Sequence, residues 1–240
     1  MEKLSERTGS VVSMNEWHMG LVVGFDLETT GVDTNTARIV TASVVLLDAK
    51  GQVVNQREWL VDPGVEIPEA ATAVHGVSTE KARAEGMPAA QGVAEILNLL
   101  QFASQQSPIV AFNASYDFSV LHAEALRYGL VPIIPGNVID PFIIDKQVDK
   151  FRKGKRTLAA ACEHYGVVLE NAHTSFADSV ACVGVARAIA QKFPQLQVDP
   201  HDLHGWQIGW ARDQAASFQE YLRKRDPQAV VDGAWPIKDS

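Results

Sequence analysis

The sequence predicts an α/β fold: a mixed five-stranded sheet flanked by helices, followed by a C-terminal helical extension. Three observations carry this. Three runs rich in β-branched residues follow one another between Leu21 and Val61, separated only by turn signals. From Pro88 to Lys192, stretches of helical period alternate with short apolar runs, as in a sheet whose later strands are joined by helices. Pro194 and Pro200 then end the alternation ahead of one long amphipathic stretch. We therefore expect a flexible leader over 1–19, a domain over 20–193 and a helical appendage over 194–240.

The first run, Leu21 to Gly31, reads as a buried strand, yet it carries Asp26 and Glu28 near its C-terminal end. Strand side chains alternate faces, so the two acids share one side while Leu27 points to the other. Close, poorly hydrated carboxylates repel one another unless a proton or a cation neutralises them, and hard divalent cations such as Mg²⁺ take such oxygen ligands. A solvated strand end is the plain alternative for these two residues taken alone.

Arg38 to Leu47 is the second strand and Val53 to Val61 the third, joined across Asp48-Ala49-Lys50-Gly51 as a hairpin. Asp62-Pro63-Gly64 and Pro68 break the pattern, and a short helical connection follows with Ser78 as N-cap. Val93, Ile96, Leu97 and Leu100 form a helix stripe, then Pro108 to Phe112 is a short strand. Ser115 is positioned to cap the next helix, which places Asp117 in its first turn. Val138 to Asp140 suggests another strand and Phe142 to Val148 a helix. After the basic run Lys150 to Arg156, Thr157 caps a helix to Tyr165, and Thr174 or Ser175 opens one to Lys192 with Asp178 on its inward face. In the extension, Leu203 to Lys224 carries Trp206 and Trp210, whose rings either pack on the core or serve a partner surface.

Composition narrows the function. The chain has 240 residues, 46% hydrophobic, with a formal net charge of -8, which argues against a protein that coats nucleic acid by bulk electrostatics. It has no uninterrupted apolar stretch of about 18 residues and no apolar signal-peptide core in residues 1–20, so no membrane partner and a cytoplasmic location are expected. Cys162 and Cys182 lack metal-ligand spacing and read as buried free thiols. His201 and His204 belong to a helix start rather than a zinc site, and Gly154-Lys155-Arg156-Thr157 lacks the earlier glycine of a phosphate loop. The run Lys150, Arg152, Lys153, Lys155 and Arg156 suits either phosphate contact or a solvated loop.

Three motifs carry the chemistry: Phe25-Asp26-Leu27-Glu28-Thr29-Thr30-Gly31, Asn113-Ala114-Ser115-Tyr116-Asp117 and His173-Thr174-Ser175-Phe176-Ala177-Asp178. In order and spacing they resemble the three exonuclease motifs of the DEDD, or DnaQ-like, family of 3′-5′ exonucleases. The histidine five residues before the last acid resembles the DEDDh subgroup, since the place a tyrosine would take in the other subgroup holds Thr174. Val74-His75-Gly76 and Arg156-Thr157-Leu158 are weaker landmarks, and the likeness runs from about Leu21 to Phe193.

The resemblance implies an RNase H-like sheet and two divalent metal ions, Mg²⁺ or Mn²⁺, held by Asp26, Glu28, Asp117 and Asp178, with Asp26 bridging. It implies that His173 takes the proton of the attacking water. Leu27, Thr29 and Thr30 would border the terminal nucleotide, with Val74, His75 and Tyr116 around its sugar and base. Tyr116 stands where the family most often has phenylalanine. The partner is then a DNA or RNA 3′ end, single-stranded DNA being preferred, and the product a nucleoside 5′-monophosphate. RNA trimming or oligoribonucleotide degradation is the alternative within enzymes, and a catalytically silent nucleic-acid-binding module the alternative outside them. A polymerase or sliding-clamp partner is possible but unsupported, because Gln214 to Phe218 matches a clamp-binding peptide poorly.

Overall fold

A computed structural model of the chain describes residues 16–239. Six strands form one mixed sheet: β1 (Val22–Thr29), β2 (Ile39–Leu47), β3 (Val53–Asp62), β4 (Met87–Pro88), β5 (Ile109–Val110) and β6 (Val138–Ile139), in spatial order β4-β3-β2-β1-β5-β6. The first three make the expected antiparallel meander. β5 and β6 add in parallel beside β1, so their C-terminal ends lie at the same edge as that of β1. The strand beyond the expected five is β4, two residues paired in parallel with Val61 and Asp62. A two-residue strand ending in proline has no period of its own to read.

The helices are α1 (Glu69–His75), α2 (Thr79–Glu85), α3 (Ala89–Ser104), α4 (Ala114–Arg127), α5 (Pro141–Val148), α6 (Leu158–Tyr165), α7 (Ser175–Lys192) and α8 (Pro200–Arg223). The short connection expected after Pro68 is thus two helices, with Ser78 capping the second through Lys81 N–H. Alternation along β1 sorts the core: Val23, Phe25 and Leu27 face α3 and α4, and Val22 faces α7. Gly24, Asp26 and Glu28 share the face of Val22, so both acids point toward α7.

Gly24 sets how near α7 comes. A Cβ there would lie 2.7 Å from the carbonyl oxygen of Ser179, so only glycine lets the helix backbone rest on β1 at this point. Ser179 follows Asp178 directly, and the close approach carries that carboxylate to Asp26 and Glu28.

Several expectations need correction. The chain is ordered before residue 20: Trp17–Met19 is a 3₁₀ turn, Trp17 is buried, and its indole N–H donates to Leu196 O at 3.0 Å. The indole fills the α7-side cluster with Leu196 and Leu203, a contact across the whole chain that local composition does not encode. The rest of the expected leader, residues 1–15, lies outside the described residues. Ser115 is not the cap of α4; the N-cap is Asn113, in the left-handed conformation and making no side-chain cap bond. Nor is the basic run wholly free. Arg152 and Arg156 reach Asp145 Oδ2 at 2.7 and 2.6 Å, while Lys150, Lys153 and Lys155 stay exposed.

Beyond residue 193, α8 buries Leu203, His204, Gln207 and Ala211, against β6 and α5 among others. Trp210 packs on the core, whereas Trp206 remains 43% exposed, and the buried aromatic of the tail is Trp235. Both cysteines are buried free thiols.

Gly24→Ala should cost about 1–3 kcal/mol of stability, because the atom it meets is helix backbone and cannot rotate away. Chemical denaturation measures this; a wild-type midpoint would mean that α7 can retreat from β1 without loss.

Candidate active site

Three elements converge where β1, β5 and β6 end. β1 supplies Asp26 and Glu28, α4 supplies Asp117 from its first turn, and α7 supplies Asp178 from its first turn. One carboxylate oxygen each from Asp26, Glu28 and Asp178 lie within 4.8 Å of one another. Asp117 is buried at 4% exposure and stands slightly apart from this trio, its Oδ1 accepting the Leu27 N–H at 3.0 Å. The bond ties α4 to the backbone between the two β1 acids.

The electrostatics follow from this crowding. Burial raises Asp26 well above the usual carboxylate range, and the charges of Asp117, Glu28 and Asp178 raise it further. Asp26 thus feels all three of the others, the position a shared ligand would hold. Burial, then Asp178, pushes Glu28 up to about 7. Burial also raises Asp117, against the opposing Leu27 N–H, and it raises Asp178. Among the described residues no lysine or arginine offsets any of these shifts; the one basic side chain acting on the four is His173, which opposes the shift of Asp178. Closely set oxygen ligands whose ionisation is hindered for want of a nearby positive charge fit a divalent cation.

His173 is exposed, on the loop before α7, with left-handed backbone (φ 69°). Its N–H points to Asp178 Oδ1 at 3.4 Å, a long contact, and the Thr174 hydroxyl caps α7 by accepting Ala177 N–H. The histidine is therefore at the rim of the acidic cluster.

The residues expected to border a nucleotide divide into two groups. Tyr116 Oη donates to Gly31 O and also meets the Thr29 hydroxyl, which itself donates to Gly31 O at 2.9 Å. Thr30 Oγ1 accepts Arg38 N–H at 3.0 Å. These bonds close the turn after β1, and Leu27 is buried beneath it. The second group lies on α1, where Val74 is exposed and His75 is half-buried with Nδ1 accepting Val77 N–H at 3.2 Å. Burial lowers the pKa of His75 while the Thr29 backbone opposes the shift, which sets this ring beside the end of β1.

Sequence reasoning missed one buried acid that organises the site. Asp140 has no exposed surface and accepts four N–H groups: Asn113 and Phe142 on Oδ1, each at 2.9 Å, and Ala114 (2.9 Å) and the Trp235 indole (3.2 Å) on Oδ2. It caps α4 from outside that helix. The only signal in the sequence is an acid at the end of a short strand, where it reads as the last residue of that strand.

Against this geometry, likeness to known proteins is informative. The family model described as RNase_T, exonuclease, matches residues 23–186. A DNA polymerase III subunit epsilon-like protein of Rhodobacter capsulatus is 31% identical over 180 residues, 73% of this chain and 24% of that protein. The PolC-type DNA polymerase III of Pediococcus pentosaceus is 26% identical over 160 residues, 67% of this chain and 11% of that one. The chain thus spans under a quarter of these relatives' length. Among solved structures, E. coli exonuclease I in complex with a dA16 oligonucleotide superposes with a TM-score of 0.65 at 18% identity, over 74% of this chain and 42% of that one, which establishes the RNase H-like fold. The chain belongs to the RNase_T exonuclease family and is DnaQ-like in its fold and in the order of its acidic motifs.

Proposed function

We propose that this chain is a metal-dependent 3′-5′ exonuclease that releases nucleoside 5′-monophosphates from the 3′ ends of single-stranded DNA. The observation that carries the reading is the trio of carboxylate oxygens from Asp26, Glu28 and Asp178 within 4.8 Å of one another, with no basic side chain among the described residues but His173 beside them. Family membership and the oligonucleotide complex of exonuclease I support the reaction class and the choice of a single strand. No helix among the described residues is long and apolar enough to cross a membrane.

Asp26, Glu28 and Asp178 would hold one Mg²⁺ or Mn²⁺, and Asp26 with Asp117 a second. When bound, the ions activate the attacking water and stabilise the charge that develops on the phosphoryl group and the departing 3′ oxygen. The chain's residues do the rest. His173 accepts the water's proton from the rim, where its loop lets the ring approach and withdraw. The turn closed by Tyr116, Thr29 and Gly31 offers an aromatic face and rigid backbone to the terminal nucleotide, with Leu27, Thr30, Val74 and His75 around it.

End-labelled strands test the assignment directly. A strand blocked at its 3′ hydroxyl should resist while a 5′ block has no effect, and an RNA strand of the same sequence should be cut more slowly; faster RNA cleavage would move the substrate to RNA. Asp26→Asn should abolish turnover with either ion. His173→Ala keeps the four carboxylates, so Mn²⁺ affinity should hold while the rate falls roughly 10²–10⁴-fold.

The raised carboxyl groups make a separate prediction about stability. A carboxyl whose pKa is higher in the folded chain than in the unfolded one binds protons more tightly when folded. Its contribution is complete below the unfolded value and is lost as pH rises through the folded one. With a chelator present, the melting temperature should fall between about 4.5 and about 7, the unfolded and folded values of Glu28. Asp140, pushed up to about 6, adds to the same slope. Saturating Mn²⁺ or Glu28→Gln should make it shallower, leaving the part due to the other raised carboxyls, Asp140 among them; an unchanged slope would mean that Glu28 does not carry it.

A further inference from the structure

We propose that the C-terminal tail, through Trp235, holds the Asp117 helix in register with the acidic cluster, so that Trp235 is a positioning residue for metal binding and strand cleavage. This rests on the reading of Asp117 as a metal-holding carboxylate. Trp235 lies outside residues 23–186, the span the exonuclease family model matches, so the contact belongs to this chain and not to the matched domain pattern.

The chain of contacts is continuous. The first two backbone amides at the start of α4, those of Asn113 and Ala114, get no partner from the N-cap side chain and donate to the Asp140 carboxylate at 2.9 Å each. Ala114 is three residues before Asp117, so whatever orients Asp140 sets the helix start from which Asp117 reaches Leu27 N–H. Two elements beyond the core fix Asp140. Gln207 of α8 accepts the Asp140 backbone N–H at 2.7 Å and donates to Val138 O at 2.9 Å, holding the end of β6. The Trp235 indole donates to Oδ2, the same oxygen that Ala114 uses, and its ring packs on His204 at 4.9 Å between centroids. His204 in turn accepts Val138 N–H at 3.2 Å.

The tail also grips α4 farther along. Lys238 N–H donates to Ser119 Oγ at 2.8 Å, and Ser119 Oγ donates to Ser115 O within the helix. Tail contacts at Trp235 and Lys238 therefore bracket Tyr116 and Asp117. A buried carboxylate that accepts four N–H groups has a fixed orientation, and losing the indole leaves Oδ2 with the Ala114 N–H alone, one partner short in a buried site. Outer partners of metal ligands affect metal affinity and activity in this way.

The decisive comparison is the full-length chain with Trp235→Phe, which keeps an aromatic ring beside His204 and removes only the N–H. Mn²⁺ affinity by calorimetry, kcat and KM on a labelled strand, and hydrogen exchange at residues 113–117 are measured well below the melting temperature. The expected result is a loss of about 10-fold or more in kcat or Mn²⁺ affinity, with KM little changed and faster exchange at Ala114. Ser119→Ala, which deletes the second grip, should lose activity in the same direction, and Trp206→Phe on the exposed part of α8 should match wild type. Wild-type kcat and Mn²⁺ affinity in Trp235→Phe would overturn the proposal, even if stability falls, since the tail would then be packing alone. If that variant does not fold, wild-type values in Ser119→Ala overturn it. A wild-type chain that neither binds Mn²⁺ nor cuts a strand refutes the exonuclease reading itself, a result distinct from an active wild type with an equally active variant.

Discussion

Everything in this molecule is arranged around the mutual repulsion of carboxylates at the end of β1. Asp26 is raised by burial and by three neighbouring acids at once, and no fixed cation among the described residues relieves it. Left to itself such a cluster would spread apart, because separation restores hydration and lowers the Coulomb energy. Three contacts from different parts of the chain hold it closed. Gly24 lets the α7 backbone rest on β1, Leu27 N–H grips Asp117, and Asp140 fixes the start of the helix that carries Asp117. The cost of the cluster is thus met by backbone packing and hydrogen bonds a few residues away from it, and a bound divalent ion would remove most of what remains.

The same economy of charge bears on how an acidic chain would handle the acidic strand of the proposed reaction. With a net charge of -8, no long-range positive field draws a strand in. Several arginines that might have supplied one are committed internally: Arg152 and Arg156 to Asp145, and Arg187 to the carbonyls of Asp48 and Gly20. In the proposed reaction, recognition then falls to short-range contacts at the 3′ end, where a metal bound by the carboxylates provides the local positive charge that the surface lacks.

Much of this was legible in the sequence because the relevant signals are local. Period-two alternation places Asp26 and Glu28 on one face, helix period places Asp178 inward, and capping chemistry locates the start of α6 at Thr157 and that of α7 at Thr174 or Ser175, of which Thr174 is the cap. What escaped depends on partners far apart in the chain. Trp17 meets Leu196 across 179 residues and Trp235 meets Asp140 across 95, and neither segment has a periodicity that announces burial. Ser115 reads as the cap of α4 because a nearby hydroxyl is the usual acceptor of such a cap, whereas the true acceptor is a carboxylate on another element. Reading Arg152 and Arg156 as surface charge fails for a related reason: Asp145 sits seven residues before the first, on the preceding helix, and only the fold shows that the ion pair is buried.

The division of labour between regular elements and loops follows from what each group must do. Carboxylates that are to hold a metal, as proposed here, need fixed geometry, and these four sit on a central strand and in the first turns of two packed helices, two of them braced by main-chain contacts. A proton acceptor must instead approach the water, take its proton and deliver it to solvent. His173 is exposed, and its backbone adopts a left-handed conformation just ahead of the Thr174 cap, so the helix is rigid from its first residue while the histidine beside it is not built into it. In the proposed reaction, the sharp change from loop to capped helix between positions 173 and 175 would let one short motif supply both an exposed base and a fixed ligand five residues apart.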